Sequence, residues 1–253
     1  MPPQKFSFPW PEGRLGAVSL TYDDALPCHF EQVAPQLEEA GLRGTFNLIT
    51  GRAAFLDHAA HWRRLAGSGH ELGNHTLFHP CRSEPPDLRP LHDTGYNLAA
   101  YSERRLRDEL AVANWMLAQL DGRSQRTYAN TCHHTAFGFG EMQQAIEPVL
   151  ADYFVAGRGA LTGRPVDLVR ADPMHLGTAQ ADLRTFADLR AEIEGVVEAG
   201  GWVVYTVHGV GEGSHKWHMA AEEHRQLIAW LGRQRERIWT APMLDVALYW
   251  RQR

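Results

Sequence analysis

The sequence predicts an α/β fold in which parallel strands alternate with helices. Segments typical of strands and of amphipathic helices follow one another about seven times along the 253 residues, and this alternation implies parallel strands joined by right-handed crossovers. Several strand segments are apolar at consecutive positions, as expected of a sheet that is covered by helices. A barrel and an open, doubly wound sheet both satisfy this pattern.

The size and charge of the chain limit the classes of protein to which it can belong. A length of 253 residues with 44% apolar residues suits one large domain with a proper core, and we treat residues 1–253 as one domain with an N-terminal arm at 1–14. The net charge is −5 and no basic run occurs, so nucleic acid is not an expected partner. No apolar stretch approaches the ~20 residues that span a bilayer. Nothing in the sequence indicates an oligomeric state.

The N-terminus and the cysteines bear on the compartment. Residues 1–11 contain no apolar segment of the signal-peptide type, so we expect a cytoplasmic protein unless a leader has been removed. The three cysteines, Cys28, Cys81 and Cys132, are too few and too scattered for a disulfide framework. We therefore expect free thiols in a reducing compartment.

In the first half of the chain, strands are indicated by short β-prone apolar runs and helices by apolar residues at helical spacing. A helix from Phe30 is ended by Gly41, and the clearest helix carries a buried stripe at Leu106, Leu110, Ala113 and Leu117. Residues 80–97 are rich in proline and predict a loop long enough to be a functional lid. The predicted strands are 15–22, 44–49, 70–74 and 126–129. The clearest helix spans 99–120, and a further short helix spans 58–66.

The second half continues the alternation with one gap. Residues 160–182 show no periodicity and are predicted to be irregular. The most apolar strand, 202–207, delivers His208 at its end. The predicted strands are 153–157, 202–207 and 238–240, and the predicted helices are 142–150, 186–199, 219–231 and 242–250.

Two groups of polar residues follow predicted strands. Asp23 and Asp24 end the first strand, and His75 and His79 follow the third. Taken singly, the carboxylates suit a helix cap and the histidines suit one face of a helix. Taken together at strand ends, where α/β proteins place their sites, they predict one divalent metal ion, with zinc favoured by this donor set. The second carboxylate remains free for acid–base work.

These segments resemble the polysaccharide deacetylase family, also called carbohydrate esterase family four. The family's first motif, Thr-Phe-Asp-Asp-Gly, stands here as Thr-Tyr-Asp-Asp-Ala at 21–25. Its second, His-Ser/Thr-x-x-His, is His-Thr-Leu-Phe-His at 75–79, and residues 41–47 resemble its second strand. Its last motif, Leu-x-His, reads Thr-Val-His at 206–208. The resemblance implies a distorted (β/α) barrel of about seven parallel strands.

The resemblance also implies roles for these residues. Asp24, His75 and His79 would hold the metal, Asp23 would act as the general base and His208 as the general acid. The implied reaction is hydrolysis of an acetyl group from an acetylated carbohydrate, with a water molecule activated at the metal as the nucleophile. The family contains enzymes for N-acetyl groups (chitin, peptidoglycan and their oligosaccharides) and for O-acetyl groups (acetyl-xylan), and the leaving group stays open.

The sequence departs from the family at two motifs. The third commonly reads Arg-x-Pro, but the segment 128–132 has neither, so Tyr128 and Asn130 are supporting candidates there and Arg158 is a hypothetical substitute for the arginine that orients the base. The fourth, of the Asp-x-Trp type, is not recognisable, with Asp172 as a candidate partner of the acid. Trp217 is predicted either to stack on a sugar ring or to pack against the next helix.

Three other interpretations follow from the same residues. The missing arginine motivates a catalytically silent carbohydrate-binding protein on the same fold, although retention of Asp23 and His208 argues against it. Two histidines and a carboxylate also suit a non-haem iron enzyme. The run Cys-His-His at 132–134 is a conceivable second metal cluster, but its position after a strand favours the rim of the pocket.

Overall fold

The structure of the protein is a computed structural model that describes residues 8–83 and 96–253. The start of the predicted arm and most of the predicted lid therefore lie outside the described residues. Within the described part of the chain, no helix is both long and apolar enough to cross a membrane.

Seven parallel strands close into a barrel, which confirms the fold implied by the resemblance. The strands in chain order are β1 (Gly16–Asp23), β2 (Thr45–Leu48), β3 (Glu71–Asn74), β4 (Thr127–Ala129), β5 (Ala136–Phe137), β6 (Gln144–Ala145), β7 (Ala156–Leu161), β8 (Leu176–Gln180), β9 (Trp202–Val207), β10 (Gly209–Val210), β11 (His218–Met219) and β12 (Ile238–Thr240). The ring runs β1-β2-β3-β4-β7-β8-β9 and closes because β9 pairs with β1.

The barrel is distorted at β1, which has three partners. Strand β9 runs along one edge of β1 from Ala17 to Tyr22. On the other edge, β12 pairs with the first half of β1, at Gly16–Val18, and β2 pairs only with its end, at Thr21–Asp23. The predicted strand at 238–240 therefore lies outside the ring, paired with the first half of β1.

Helices cover the outside of the barrel. They are α1 (Ala34–Glu39), which continues a π-helix at His29–Val33, and α2 (Ala53–Leu56), α3 (Ala59–Gly67), α4 (Glu103–Asp121), α5 (Glu147–Leu150), α6 (Phe186–Glu198), α7 (Ala221–Arg233) and α8 (Met243–Arg251). The long helix α4 begins where the Ser102 hydroxyl accepts a hydrogen bond from the backbone of Arg105, and it ends at Gly122, whose φ is 68°. Both ends follow the usual capping chemistry of helices.

The structure corrects three predicted elements. Strand β8 lies within 160–182, which was expected to be irregular, because its sequence, Leu-Gly-Thr-Ala-Gln, has no β-branched run and is held by strands on both sides. The β5–β6 hairpin replaces the first half of the predicted helix 142–150, since Gly138 and Gly140 adopt positive φ. The strand predicted at 153–157 begins later, at Ala156.

The cysteine expectation is wrong for two of the three residues. Cys81 and Cys132 form a disulfide, while Cys28 is free. Spacing did not indicate the pair because 51 residues separate the two cysteines, which the barrel brings together beyond the ends of β3 and β4. The bond fixes these two loops to each other.

The end of the barrel at which the strands begin is closed by a buried carboxylate. Glu71, the first residue of β3, accepts hydrogen bonds from the Thr45 hydroxyl, from the backbone and hydroxyl of Thr127, and from the backbone N–H of Leu244. These bonds join three strands to the start of α8. The described part of the arm packs nearby, with Trp10 stacked on Tyr249. The opposite end of the barrel is open.

Candidate functional site

A cavity of about 320 Å³ opens at the end of the barrel where the strands finish. Parallel barrels place their sites at this end because the loops that follow the strands converge there. The residues that line it are Asp23, Asp24, His75, His79, Asn130, Cys132, His133, Gln180, His208, His215, Lys216 and Trp217.

Three side chains in the cavity form a compact set of metal donors. The Nε2 atoms of His75 and His79 each lie 3.5 Å from Oδ1 of Asp24, and the three donor atoms lie within 4.8 Å of one another. The Nδ1 atom of His75 is 2.9 Å from the carbonyl oxygen of Ala129. A hydrogen bond donated there keeps the proton on Nδ1, so Nε2 offers its lone pair to the cavity.

The donor set fits a divalent metal ion. Oδ1 of Asp24 is buried and has no hydrogen-bond partner among the described residues, which is costly unless a cation faces it. Asp24, Thr76 and His79 all adopt positive φ although none is glycine. Such strain concentrates at functional sites, where surrounding contacts hold it in place. Two imidazoles and one carboxylate leave further coordination positions open.

Asp23 is held apart from this set by buried hydrogen bonds. Asn47 donates from Nδ2 to Oδ1 of Asp23 over 2.8 Å. The Asn47 side chain lies against Gly73. A Cβ atom at position 73 would lie only 2.2 Å from Oδ1 of Asn47, which is too close. Glycine at 73 is therefore required for Asn47 to reach Asp23.

The guanidinium of Arg158, on β7, donates hydrogen bonds to the same carboxylate from both of its terminal nitrogens. Nη1 donates to Oδ1 of Asp23 over 3.0 Å, and Nη2 donates to Oδ2. Nη1 also donates to the Thr21 hydroxyl over 2.6 Å. Burial alone would raise the pKa of Asp23, but the charges of Arg158, His75 and His208 and the hydrogen bond from Arg158 hold that pKa well below its usual range.

His208 lies across the cavity and has its own carboxylate. Its Nδ1 is 2.6 Å from Oδ2 of Asp182, whose Oδ1 accepts a hydrogen bond from the backbone of His208. Burial lowers the pKa of His208, yet the hydrogen bond to Asp182 and the charges of Asp23, Asp182 and Asp24 raise it above its usual value overall. Asp172, the candidate named from the sequence, instead caps the turn at 173–175 by accepting from the backbone of Met174, so that assignment is corrected to Asp182.

The loop between β10 and β11 forms one wall of the cavity. The ring of His215 stacks on His208, with centroids 5.2 Å apart. This approach needs Gly209, because a Cβ there would lie 2.3 Å from Oγ of Ser214 and 2.9 Å from the Cβ of His215. Trp217 lines the cavity and is 44% exposed, which favours the predicted contact with a ligand over packing against the next helix.

Three further predictions concern β4 and the segment that follows it. Asn130 lines the cavity, and both polar atoms of its amide are buried without a partner among the described residues. Tyr128 does not reach the cavity; it is buried outside the barrel against Phe154, because adjacent strand residues face opposite sides. Nδ1 of His134 instead accepts a hydrogen bond from the backbone of Arg82, so the Cys-His-His run forms no metal cluster.

Comparison with known proteins bears on the family and the fold of this chain. Residues 12–152 match the model of the family described as polysaccharide deacetylase. A gellan lyase of Bacillus is 24% identical over 267 residues, and the match covers 96% of this chain but only 10% of that protein. This chain thus spans about a tenth of the length of that curated relative.

Two solved structures share the fold. A chain assigned to the polysaccharide deacetylases of Mycobacterium smegmatis has a TM-score of 0.64 and 18% identity, covering 97% of this chain and 93% of its own. A family 4 acetyl xylan esterase from Clostridium thermocellum, in complex with a cobalt ion, has a TM-score of 0.55 and 17% identity. The match covers 92% of this chain and 91% of the esterase chain. Likeness at this level of identity shows the barrel alone.

Proposed function

Because the chain belongs to the polysaccharide deacetylase family, we propose that it is a metal-dependent hydrolase that removes acetyl groups from a carbohydrate. The observation that carries the proposal is the juxtaposition, in one cavity, of the donor set Asp24-His75-His79 with two separate acid–base groups, Asp23 and His208. A protein that only binds sugar needs neither acid nor base.

Asp24, His75 and His79 would hold the metal, and zinc is the ion we propose. When bound, a divalent ion in this position polarises the acetyl carbonyl and increases the acidity of water. The chain's own residues supply the proton transfers. Asp23 stays ionised because Arg158 and Asn47 donate to it, and its Oδ2 is 3.9 Å from Nε2 of His75, beside the metal donors. It therefore accepts the proton of the attacking water.

His208 serves the leaving group. Asp182 accepts the hydrogen bond from Nδ1, which leaves the Nε2–H of the protonated ring for the departing nitrogen or oxygen. The raised pKa of His208 keeps more of the ring protonated near neutral pH. Each proton transfer of this kind typically contributes about 10²–10⁴-fold to the rate.

The alternative interpretation, a catalytically silent carbohydrate-binding protein, loses the observation that motivated it. It rested on the missing arginine of the third motif, but Arg158 reaches Asp23 from the next strand of the ring. The carboxylate that we propose as the base is therefore bound by an arginine, which comes from a different position in the sequence than the third motif.

Acetate release tests the proposed function. Acetylated chito-oligosaccharides and acetylated xylo-oligosaccharides would be incubated side by side with the protein, with and without a chelator. We expect release from at least one set, lost with the chelator and restored by zinc. Release that persists after demonstrated removal of metal would contradict the metal role, and the productive substrate would separate N- from O-acetyl preference.

The pH dependence of the reaction tests the pair His208–Asp182. An acid must be protonated, so kcat/KM is expected to fall as pH rises through the pKa of His208. In Asp182→Asn the charge and the hydrogen bond that raise the pKa of His208 are altered while burial still lowers it, so the alkaline limb of the profile should move to lower pH. An unchanged limb would show that His208 is not the group that titrates.

A further inference from the structure

The cavity contains a lysine in a chain that hardly uses lysine. Of the 25 lysine and arginine residues, only Lys5 and Lys216 are lysines, and Lys216 is the one in the described part of the chain. It lines the cavity next to Trp217. Arginine serves every other cationic position that the structure describes, so the residue type at this wall stands out from the rest of the protein.

The backbone that carries Lys216 is anchored on both sides. Strands β10 and β11 pair at the two ends of the loop, and the backbone N–H of Gly209 donates to the carbonyl oxygen of Trp217 over 3.0 Å. Inside the loop, the Ser214 hydroxyl donates to the carbonyl oxygen of Gly211 over 2.6 Å. The lysine therefore projects from a fixed position on the wall that also carries His215.

The charge of Lys216 is not neutralised within the described residues. It forms no ion pair or hydrogen bond there, whereas the charge of Arg158, which is buried behind Asp23, is bound by that carboxylate. The Asp24 carboxylate faces the metal position, and burial and the charge of Arg158 lower the pKa of His133 to about 4, so that ring is neutral. With a divalent ion bound, the cavity carries excess positive charge in a chain whose net charge is −5.

We propose that the substrate is an acidic carbohydrate and that Lys216 binds its carboxylate at the wall of the cavity. This inference rests on the proposed deacetylase function and adds the class of sugar. The ammonium group is a compact charge with three donors on a flexible stem, which suits a carboxylate on a sugar. The adjacent face of Trp217 is available to the apolar face of the same ring. The carboxylate has two chemical sources, a uronic acid unit of the chain or a carboxyalkyl ether on the acetylated sugar.

The test compares each acidic substrate with its neutral methyl ester. One arm uses acetylated xylo-oligosaccharides that carry a glucuronate, and the other uses N-acetylglucosamine sugars that carry a lactyl ether. The measured quantity is the ratio of kcat/KM for the acid to kcat/KM for the ester. In the wild type we expect a ratio of about tenfold or more in one arm, since a hydrogen bond to a charged group is worth roughly that factor. Added salt should lower it.

Variants assign the preference to Lys216. Lys216→Gln is expected to bring the ratio close to one, and Lys216→Arg is expected to retain most of it. Arg63→Gln, which removes an exposed charge of α3 away from the cavity, should leave the ratio as in the wild type. A wild-type ratio near one in both arms, or a ratio that Lys216→Gln does not change, would overturn the inference while the deacetylase function stands.

A binding measurement keeps the two proposals separable. Calorimetric titration of the same acids and esters into the zinc-loaded protein reports the preference without turnover. Absence of acetate release from every substrate would defeat the proposed function, and equal affinity of acid and ester would then defeat the carboxylate site as well. Tighter binding of the acid that disappears in Lys216→Gln would support the site.

Discussion

Asp23→Asn is expected to retain bound metal and to release acetate about 10²–10⁴-fold more slowly than the wild type. The amide keeps the shape of the carboxylate but does not accept a proton, and general base catalysis contributes a factor of this size. Asp23 is not part of the donor set, since Arg158 donates hydrogen bonds to both oxygens of its carboxylate. Metal content after dialysis and kcat at saturating substrate are the two measurements.

The neighbouring carboxylate provides the matched control. Asp24→Asn makes the same chemical change one residue later, but it removes the charge of an atom 3.5 Å from both imidazoles. Metal affinity should fall by more than the 10–100-fold that changes outside the ligand sphere produce. If both variants lost metal equally, or if Asp23→Asn kept its turnover, the division of roles between the two residues would be wrong.

Several residues of the cavity could be predicted from the sequence. These are the residues for which a motif coincides with the end of a predicted strand. Asp23, Asp24, His75, His79 and His208 all follow apolar runs that are strands, and their roles remain predictions. Their grouping follows from parallel strands, whose ends meet at one end of the barrel.

Asp182 was missed for a structural reason. It follows β8, and that strand has too little β propensity to be seen from the sequence, so no strand end drew attention to it. The predicted number of strands was nevertheless right, because the strand at 238–240 was counted in place of β8. One error in strand membership thus hid the partner of the acid.

Contacts between side chains of different strands could not be predicted from the sequence, for another reason. Asn47 reaches Asp23 only because Gly73 leaves space between β2 and β3, which depends on register. Tyr128 faced the wrong side because strand periodicity assigns alternate faces but a three-residue strand gives no pattern to read. The structure does place Arg158 in contact with Asp23, as hypothesised. This contact could be anticipated because Arg158 was assigned to a strand, and that strand lies beside β4 in the ring.

Arg158→Met is expected to lower kcat by about 10²-fold and to reduce the free energy of unfolding by about 3–5 kcal/mol. The first effect follows because the fork of the guanidinium fixes both oxygens of Asp23, and a displacement of about 1 Å in a catalytic group costs a factor of this size. The second follows because removing one partner of a buried ion pair leaves an unpaired charge. Turnover and chemical denaturation measure the two effects.

The chain offers a second buried arginine that separates these effects. Arg126 donates from Nη1 and Nη2 to the two oxygens of Asp121 over 3.2 Å each, and the pair is as buried as Arg158 with Asp23. Arg126→Met should therefore lose comparable stability while kcat, measured where both variants are folded, stays near the wild-type value. Arg158→Lys, which restores the charge without the fork, should recover stability more than turnover. Equal kcat in the two methionine variants would mean that Arg158 supports the barrel and does not position the base.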